Sequence, residues 1–130
     1  MTISYRQLDA ATDQRSLTAD TTLTVSDSGK TILLDAVGEA ITLPSPVAGL
    51  NFKFLCTKAV ITSSWTITAG AAIIYGSVTE AGLVQLASAE TTITLVFTKA
   101  SIGDWFTLES DGTNWYVAGQ LSVAASFTTA

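Results

Sequence analysis

The feature that most constrains this chain is a two-residue alternation of apolar and polar side chains in short runs rich in Thr, Val and Ile. The alternation indicates β-strands with one buried face, because successive side chains of a strand point to opposite faces of the sheet. Turn residues separate the runs about every 8 to 12 residues, a spacing typical of sandwiches and barrels. The predicted strands cover residues 21–25, 31–35, 40–43, 51–56, 65–69, 72–75, 83–87, 91–98, 104–109 and 115–119.

These runs predict an all-β fold, a single-domain β-sandwich or jelly-roll-like barrel of about ten short antiparallel strands with an N-terminal arm. We place the arm at residues 1–20 and the sandwich at residues 21–130. The strand order stays open. Residues 5–17 could instead form a short helix, and residues 121–130 could form either a last strand or a tail.

The strongest hairpin signal is the Asp111-Gly112 pair, which suits a two-residue turn because both positions tolerate positive φ. It joins residues 104–110 to residues 113–119, and both faces of this strand pair carry aromatic side chains. A strand pair that is apolar on both sides needs a second covering layer, which could come from the same chain or from another subunit.

The composition narrows the partners that this chain can have. Hydrophobic residues make up 48% of the chain and charged residues 13%, and the formal net charge is −5. A negative field repels phosphate backbones, so we expect no nucleic-acid partner. The apolar runs are far shorter than the roughly 20 residues that span a bilayer, so we expect no membrane partner either.

The chain also lacks the residues on which most catalytic sites depend. It has no His, and its one cysteine is Cys56. Without His, a Ser-His-Asp triad is impossible and the Cys56 thiol lacks its usual base, so Cys56 is interpreted as a small buried residue. The carboxylates at strand ends, such as Asp104, Glu109 and Asp111, are interpreted as ordinary turn residues. We therefore expect no enzyme activity, no catalytic residues, no metal site and no cofactor.

The order of the motifs DSGKTILLD, AITLPSPVAGLNFKFLC, WTITAG and IGDWFTLESDGTNWYVAG resembles that of small virion proteins of tailed bacteriophages. These are the capsid decoration (cement) proteins and the related β-domains of fibre heads, and the resemblance covers residues 21–119. It implies a viral structural protein that binds the major capsid protein on the outer capsid surface and stabilises the shell. It further implies a symmetric homo-oligomer, most often a homotrimer.

Apolar residues in the N-terminal arm are the predicted contacts of such an assembly. Ile3, Tyr5, Leu8 and Leu17 have little reason to be buried if the arm lies outside the sandwich, so we expect them to contact the capsid or a neighbouring subunit. The alternative is that the arm pairs along the edge of its own sheet and protects that edge from aggregation.

Tryptophan side chains suggest a second function class. Exposed aromatic rings on a β-sandwich can stack on sugars, and Trp65 follows two serines close to the start of a predicted strand. Trp65 is therefore a possible aromatic surface, and the alternative function is a receptor- or glycan-binding domain of a phage head or tail fibre. A sandwich protein or enzyme unrelated to phages is the third class.

Overall fold

A computed structural model describes residues 13–130, which form two β-sheets around one hydrophobic core. A short 3-10 turn at Val25–Asp27 precedes the third strand. In chain order the strands are β1 (Gln14–Leu17), β2 (Thr21–Thr22), β3 (Thr31–Leu34), β4 (Ala40–Thr42), β5 (Asn51–Cys56), β6 (Trp65–Thr68), β7 (Ile74–Glu80), β8 (Leu83–Glu90), β9 (Thr92–Leu95), β10 (Trp105–Ser110), β11 (Trp115–Leu121) and β12 (Phe127–Thr129).

The larger sheet has seven strands in the order β1-β3-β5-β10-β11-β7-β8, and the smaller has five in the order β12-β9-β6-β4-β2. The all-β prediction is confirmed, but the prediction that all the strands are antiparallel is wrong. Half of the strand pairings in the described part of the chain are parallel. The first six strands alternate between the two sheets. Each strand therefore runs in the same direction as the preceding strand of its own sheet, and the two pair in parallel.

The two-residue alternation places the core where the sequence predicts it. In β5, Phe52, Phe54 and Cys56 are buried, whereas Asn51 and Lys53 are exposed. The Phe54 ring stacks on Phe106 with centroids 4.8 Å apart, so aromatic packing joins β5 to β10 across their shared ladder. Aromatic side chains therefore hold the middle of the larger sheet together from its inner face.

Three of the differences from the predicted bounds have clear local reasons. The predicted strand at 21–25 ends early, because the Asp27 carboxylate accepts a hydrogen bond from the Thr24 backbone N–H at 3.0 Å and caps the 3-10 turn. The predicted strand at 72–75 continues to Glu80, since Gly76 adopts φ +125° and carries the chain through a register shift against β8. The loop between β10 and β11 spans residues 111–114, longer than the predicted two-residue turn.

The N-terminal arm joins the sheet from residue 14 onward. β1 pairs in parallel with β3 at the edge of the larger sheet, so for these residues the edge-pairing alternative is the one observed. Arg15 fastens this strand by donating from Nη1 to both carboxylate oxygens of Asp27 at 3.0 Å. Burial alone would raise the pKa of Asp27, but the Thr24 N–H bond, Arg15 and Lys30 together hold that pKa below its usual value.

Candidate interaction surface

Backbone hydrogen bonds join the loops at one end of the sandwich to one another. The Thr98 N–H donates to the Val60 carbonyl at 2.6 Å, and the Val60 N–H donates to the Ala100 carbonyl at 3.0 Å. On the same end, the Ile61 N–H donates to the Ala36 carbonyl at 3.1 Å. Loops from both sheets therefore form one continuous surface.

Asp104 fixes a further part of this end. Its side chain is buried, with Oδ1 accepting from the Ser122 N–H at 3.1 Å and the Ser122 hydroxyl at 2.8 Å. Its Oδ2 accepts from the Ser101 N–H at 2.9 Å. A carboxylate with these partners holds two loops in place and has little capacity left for a ligand.

More than half of the large apolar side chains that the structure leaves exposed lie at this end. Isolated exposed apolar residues are ordinary, but a group of them on one surface is typical of a contact site. The apolar end, as we call it, consists of Val37, Ile61, Leu83, Phe97, Ile102 and Val123, which are 39% to 70% exposed.

Charges at the apolar end are divided between two sides. Lys58 and Lys99 are exposed and lie close in sequence to Ile61 and Phe97, on a chain whose net charge is −5. The opposite margin is acidic: desolvation, followed by the nearby carboxylates of Asp20 and Asp35, raises the pKa of Glu39. The basic side is thus an exception on an acidic molecule.

A second exposed apolar feature follows the outermost strand of the larger sheet. Leu83, Val84 and Leu86 of β8 are 66% to 69% exposed. Val84 and Leu86 stand beside Thr79 and Ser77 of β7, whose short side chains leave them uncovered. We call the segment from residue 83 to residue 88 the β8 edge.

A shallow cavity of about 280 Å³ adjoins the apolar end, and the half-buried Trp105 forms part of its lining. The Lys53 ammonium lies 5.3 Å from the centroid of the Trp105 ring, a distance suited to a cation–π contact. The remaining lining residues are Ile102, Gly103, Asp104, Gln120, Leu121 and Ser122.

The structure corrects two of the predicted site residues. Trp65 is fully buried, because β6 turns its ring into the core, where Nε1 donates to the Asp35 carbonyl at 3.1 Å. It is therefore not an aromatic surface. Leu17 is 3% exposed, since β1 directs it into the chain's own core, and it offers no contact to another subunit. Ile3, Tyr5 and Leu8 lie outside the described residues.

Sequence reasoning missed the residues of the apolar end. Ile61 follows Val60 in a loop and Ile102 stands among turn residues, and neither belongs to an alternating run. A single large aliphatic residue in a loop is the one signal that points to them, and it becomes informative only when the fold brings several such loops together.

Cys56 is as inaccessible as predicted, at 1% exposure. Burial, reinforced by the Asp104 carboxylate, raises the pKa of its thiol to about 12. Since the thiolate is the reactive form, we expect native protein at pH 8 to give no reaction with a thiol reagent, and unfolded protein in urea to give one equivalent. Absorbance after addition of a chromogenic disulfide measures both, and rapid native labelling would contradict the burial of Cys56.

The described part of the chain contains no cluster of three or more His, Cys, Asp or Glu side chains arranged to hold a metal ion. Within residues 13–130, none of the helical structure is long and apolar enough for a membrane crossing. Comparisons with protein-family models, curated proteins and solved structures gave no match.

Proposed function

We propose that this chain is a capsid decoration (cement) protein, a structural protein of a phage virion that binds the outer surface of the assembled shell. The observation that carries the proposal is the apolar end, where exposed aliphatic side chains stand on loops that backbone hydrogen bonds hold rigidly. Such a surface suits a contact with a large, preformed protein partner. The major capsid protein is the proposed partner, and the outer capsid surface is the proposed location.

The mechanism of stabilisation is mass action. A protein that binds the assembled lattice and not its separated subunits lowers the free energy of the lattice alone. The gain is about 2.7 kcal/mol per site when the free protein is at a hundred times its Kd. This mechanism requires no catalytic group. It requires a surface that binds the assembled lattice and does not bind the separated subunits.

Charge indicates what the partner surface looks like. Lys58 and Lys99 lie on one side of the apolar end, so the complementary patch on the shell carries carboxylates on the matching side of an apolar centre. Attraction between the two patches speeds association and weakens as salt is added. The acidic remainder of the molecule would face the solvent and keep decorated particles apart.

The test removes apolar side chains from the apolar end. Ile61→Ser and Ile102→Ser, combined in one chain, are expected to raise the Kd for expanded, undecorated capsids of the source phage about 100-fold, since each buried aliphatic contact is worth about 1.5 kcal/mol or more. Co-sedimentation over a range of protein concentrations measures the Kd. Calorimetry of the capsid checks that the rise in its melting temperature is lost in parallel.

The matched control alters the opposite end of the sandwich. Val25 and Val47 are 58% and 48% exposed there, and Val25→Ser with Val47→Ser should leave capsid binding unchanged. All four positions are exposed, so the free energy of unfolding should change little in either double variant. Wild-type protein that neither sediments with capsids nor raises their melting temperature would end the proposal.

Glycan binding by a fibre domain is the second candidate, and the cavity beside Trp105 is the observation that favours it. Trp105 is the one tryptophan that keeps exposed surface, and the Gln120 amide lies within reach of a sugar there. Quenching of tryptophan fluorescence by an oligosaccharide, abolished by Trp105→Ala and accompanied by no binding to capsids, would favour this candidate.

A further inference from the structure

We infer that two copies of this chain associate through the β8 edge, which pairs antiparallel with the β8 edge of the second copy. This inference concerns the isolated protein and does not depend on its binding to a capsid. It would continue the larger sheet from one copy into the other, around a two-fold axis that passes close to Gln85.

The first argument is that the β8 edge lacks the protection that the other sheet edges have. An open edge presents unpaired backbone N–H and C=O groups, and natural proteins protect it with charge or by keeping the strand short. β1, at the other edge of the same sheet, has four residues and carries Arg15; β2 and β12, the edges of the smaller sheet, have two and three residues. β8 has eight residues, and among the described residues it pairs only with β7.

The second argument is electrostatic and shows that a second copy can occupy the β8 edge without charge repulsion. No charged residue occurs from Ala81 to Ala89, so two molecules that each carry a net charge of −5 can meet at this segment without opposing like charges. The two flanking carboxylates do not interfere. Glu80 is buried and accepts hydrogen bonds from its own chain, and Glu90 lies beyond the irregular residue Ala89, whose φ is +57°.

The third argument is that the side-chain pattern matches itself. When Gln85 lies opposite Gln85 of the second copy, Val84 lies opposite Leu86 and Leu83 lies opposite Ala87. Each exposed aliphatic residue of the β8 edge then covers an apolar residue of the other copy. Centring the pairing on Val84 or on Leu86 instead brings an aliphatic side chain against Gln85, Gly82 or Ser88.

The size of the contact indicates its strength. An edge of about six residues with the side chains above it is at the small end of specific interfaces, below about 1,200 Å² in total. We therefore expect a dimer with a Kd in the micromolar range. It will be found only by measuring across concentrations.

The test is light scattering coupled to size-exclusion chromatography, over a dilution series from about 1 μM to about 1 mM. The expected result is a shift from one to two chains of 13.5 kDa across the series. Val84→Lys should raise the dimer Kd at least 100-fold. Ile102→Lys changes a side chain of nearly equal exposure away from the β8 edge, and should leave the dimer Kd unchanged.

Two further variants test the register itself. Leu86→Glu added to Val84→Lys places opposite charges across the two-fold axis at both positions, and should restore the dimer that Val84→Lys alone abolishes. Gln85→Cys should form an intermolecular disulfide on mild oxidation, while the buried Cys56 stays reduced. Loss of dimer with Ile102→Lys would contradict the location of the contact at the β8 edge, and failure of the charge pair to restore the dimer would overturn the register.

A monomer at every concentration, or the trimer that the phage resemblance implies, would overturn the pairing of β8 edges altogether. These outcomes are read without capsids present. A protein that dimerises and ignores capsids would therefore contradict the proposed function alone, and one that binds capsids as a monomer or trimer would contradict this inference alone.

Discussion

Gly76→Ala is expected to abolish folding, or to lower the free energy of unfolding by more than about 4 kcal/mol. A Cβ at this position would lie 2.2 Å from the carbonyl oxygen of Val117, the residue that pairs with Gly76 on β11. The backbone there also has φ +125°, a conformation that side-chain-bearing residues rarely adopt. The backbone cannot move away without breaking the parallel ladder between β7 and β11, so both effects disrupt the pairing that joins the last two strands, β7 and β8, to the rest of the larger sheet.

Two alanine substitutions separate the clash from the backbone strain. Gly29→Ala has open space but φ +85°, and should cost only about 1 kcal/mol. Gly70→Ala has open space and no positive φ, and should lie within about 1 kcal/mol of wild type. Urea unfolding followed by tryptophan fluorescence ranks the three, with soluble yield as the measure if Gly76→Ala does not fold. A Gly76→Ala protein as stable as the Gly70→Ala protein would refute the close approach of β7 and β11.

Gly76 also shows why the strand positions could be predicted and the sheet topology could not. Alternation of side chains is a local property, so runs such as residues 31–35 and 51–56 gave strands at nearly the observed places. The same alternation occurs in parallel and antiparallel ladders, so it carries no information about direction. Whether a glycine ends a strand or carries it past a close neighbour depends on residues far away in sequence, here Val117.

The candidate surface was hidden from the sequence for the same reason. Its loops meet because β3, β5, β9 and β11 all end on one side of the sandwich, a consequence of the topology. The sequence did indicate apolar residues available for a contact, but it placed them in the N-terminal arm. The described part of that arm instead pairs with β3 at the edge of the larger sheet, and this pairing buries Leu17 in the core.

Glu80→Ala is expected to lower the free energy of unfolding by about 2 to 5 kcal/mol, because it leaves two backbone donors without acceptors. Glu80 Oε2 accepts from the Ala125 N–H at 2.7 Å, and Oε1 accepts from the Phe127 N–H at 2.9 Å. The carboxylate belongs to β7 of the larger sheet, whereas Phe127 begins β12 of the smaller one. It thereby ties the C-terminal strand to the rest of the sandwich.

The loss should be concentrated in the last strand. Phe127 is buried and meets the Phe106 ring with centroids 5.9 Å apart, so release of β12 also removes one wall of the aromatic core. Glu80→Ala should accelerate the hydrogen exchange of the backbone amides from 125 to 130 more than it accelerates exchange in β5 and β10. Uniform acceleration across the chain would instead mean that Glu80 acts on the whole fold at once.

The matched control is Glu90→Ala, which removes a partly exposed carboxylate from the other end of β8 and should stay within about 0.5 kcal/mol of wild type. Glu80→Gln should fall between the two, since an amide keeps one oxygen acceptor but turns its NH₂ toward the other donor. If Glu80→Ala unfolds at the same urea concentration as Glu90→Ala, the carboxylate does not fasten β12. Because the β8 edge begins three residues after Glu80, a large loss in Glu80→Ala with the dimer intact would show that the last strand and the β8 edge are held independently.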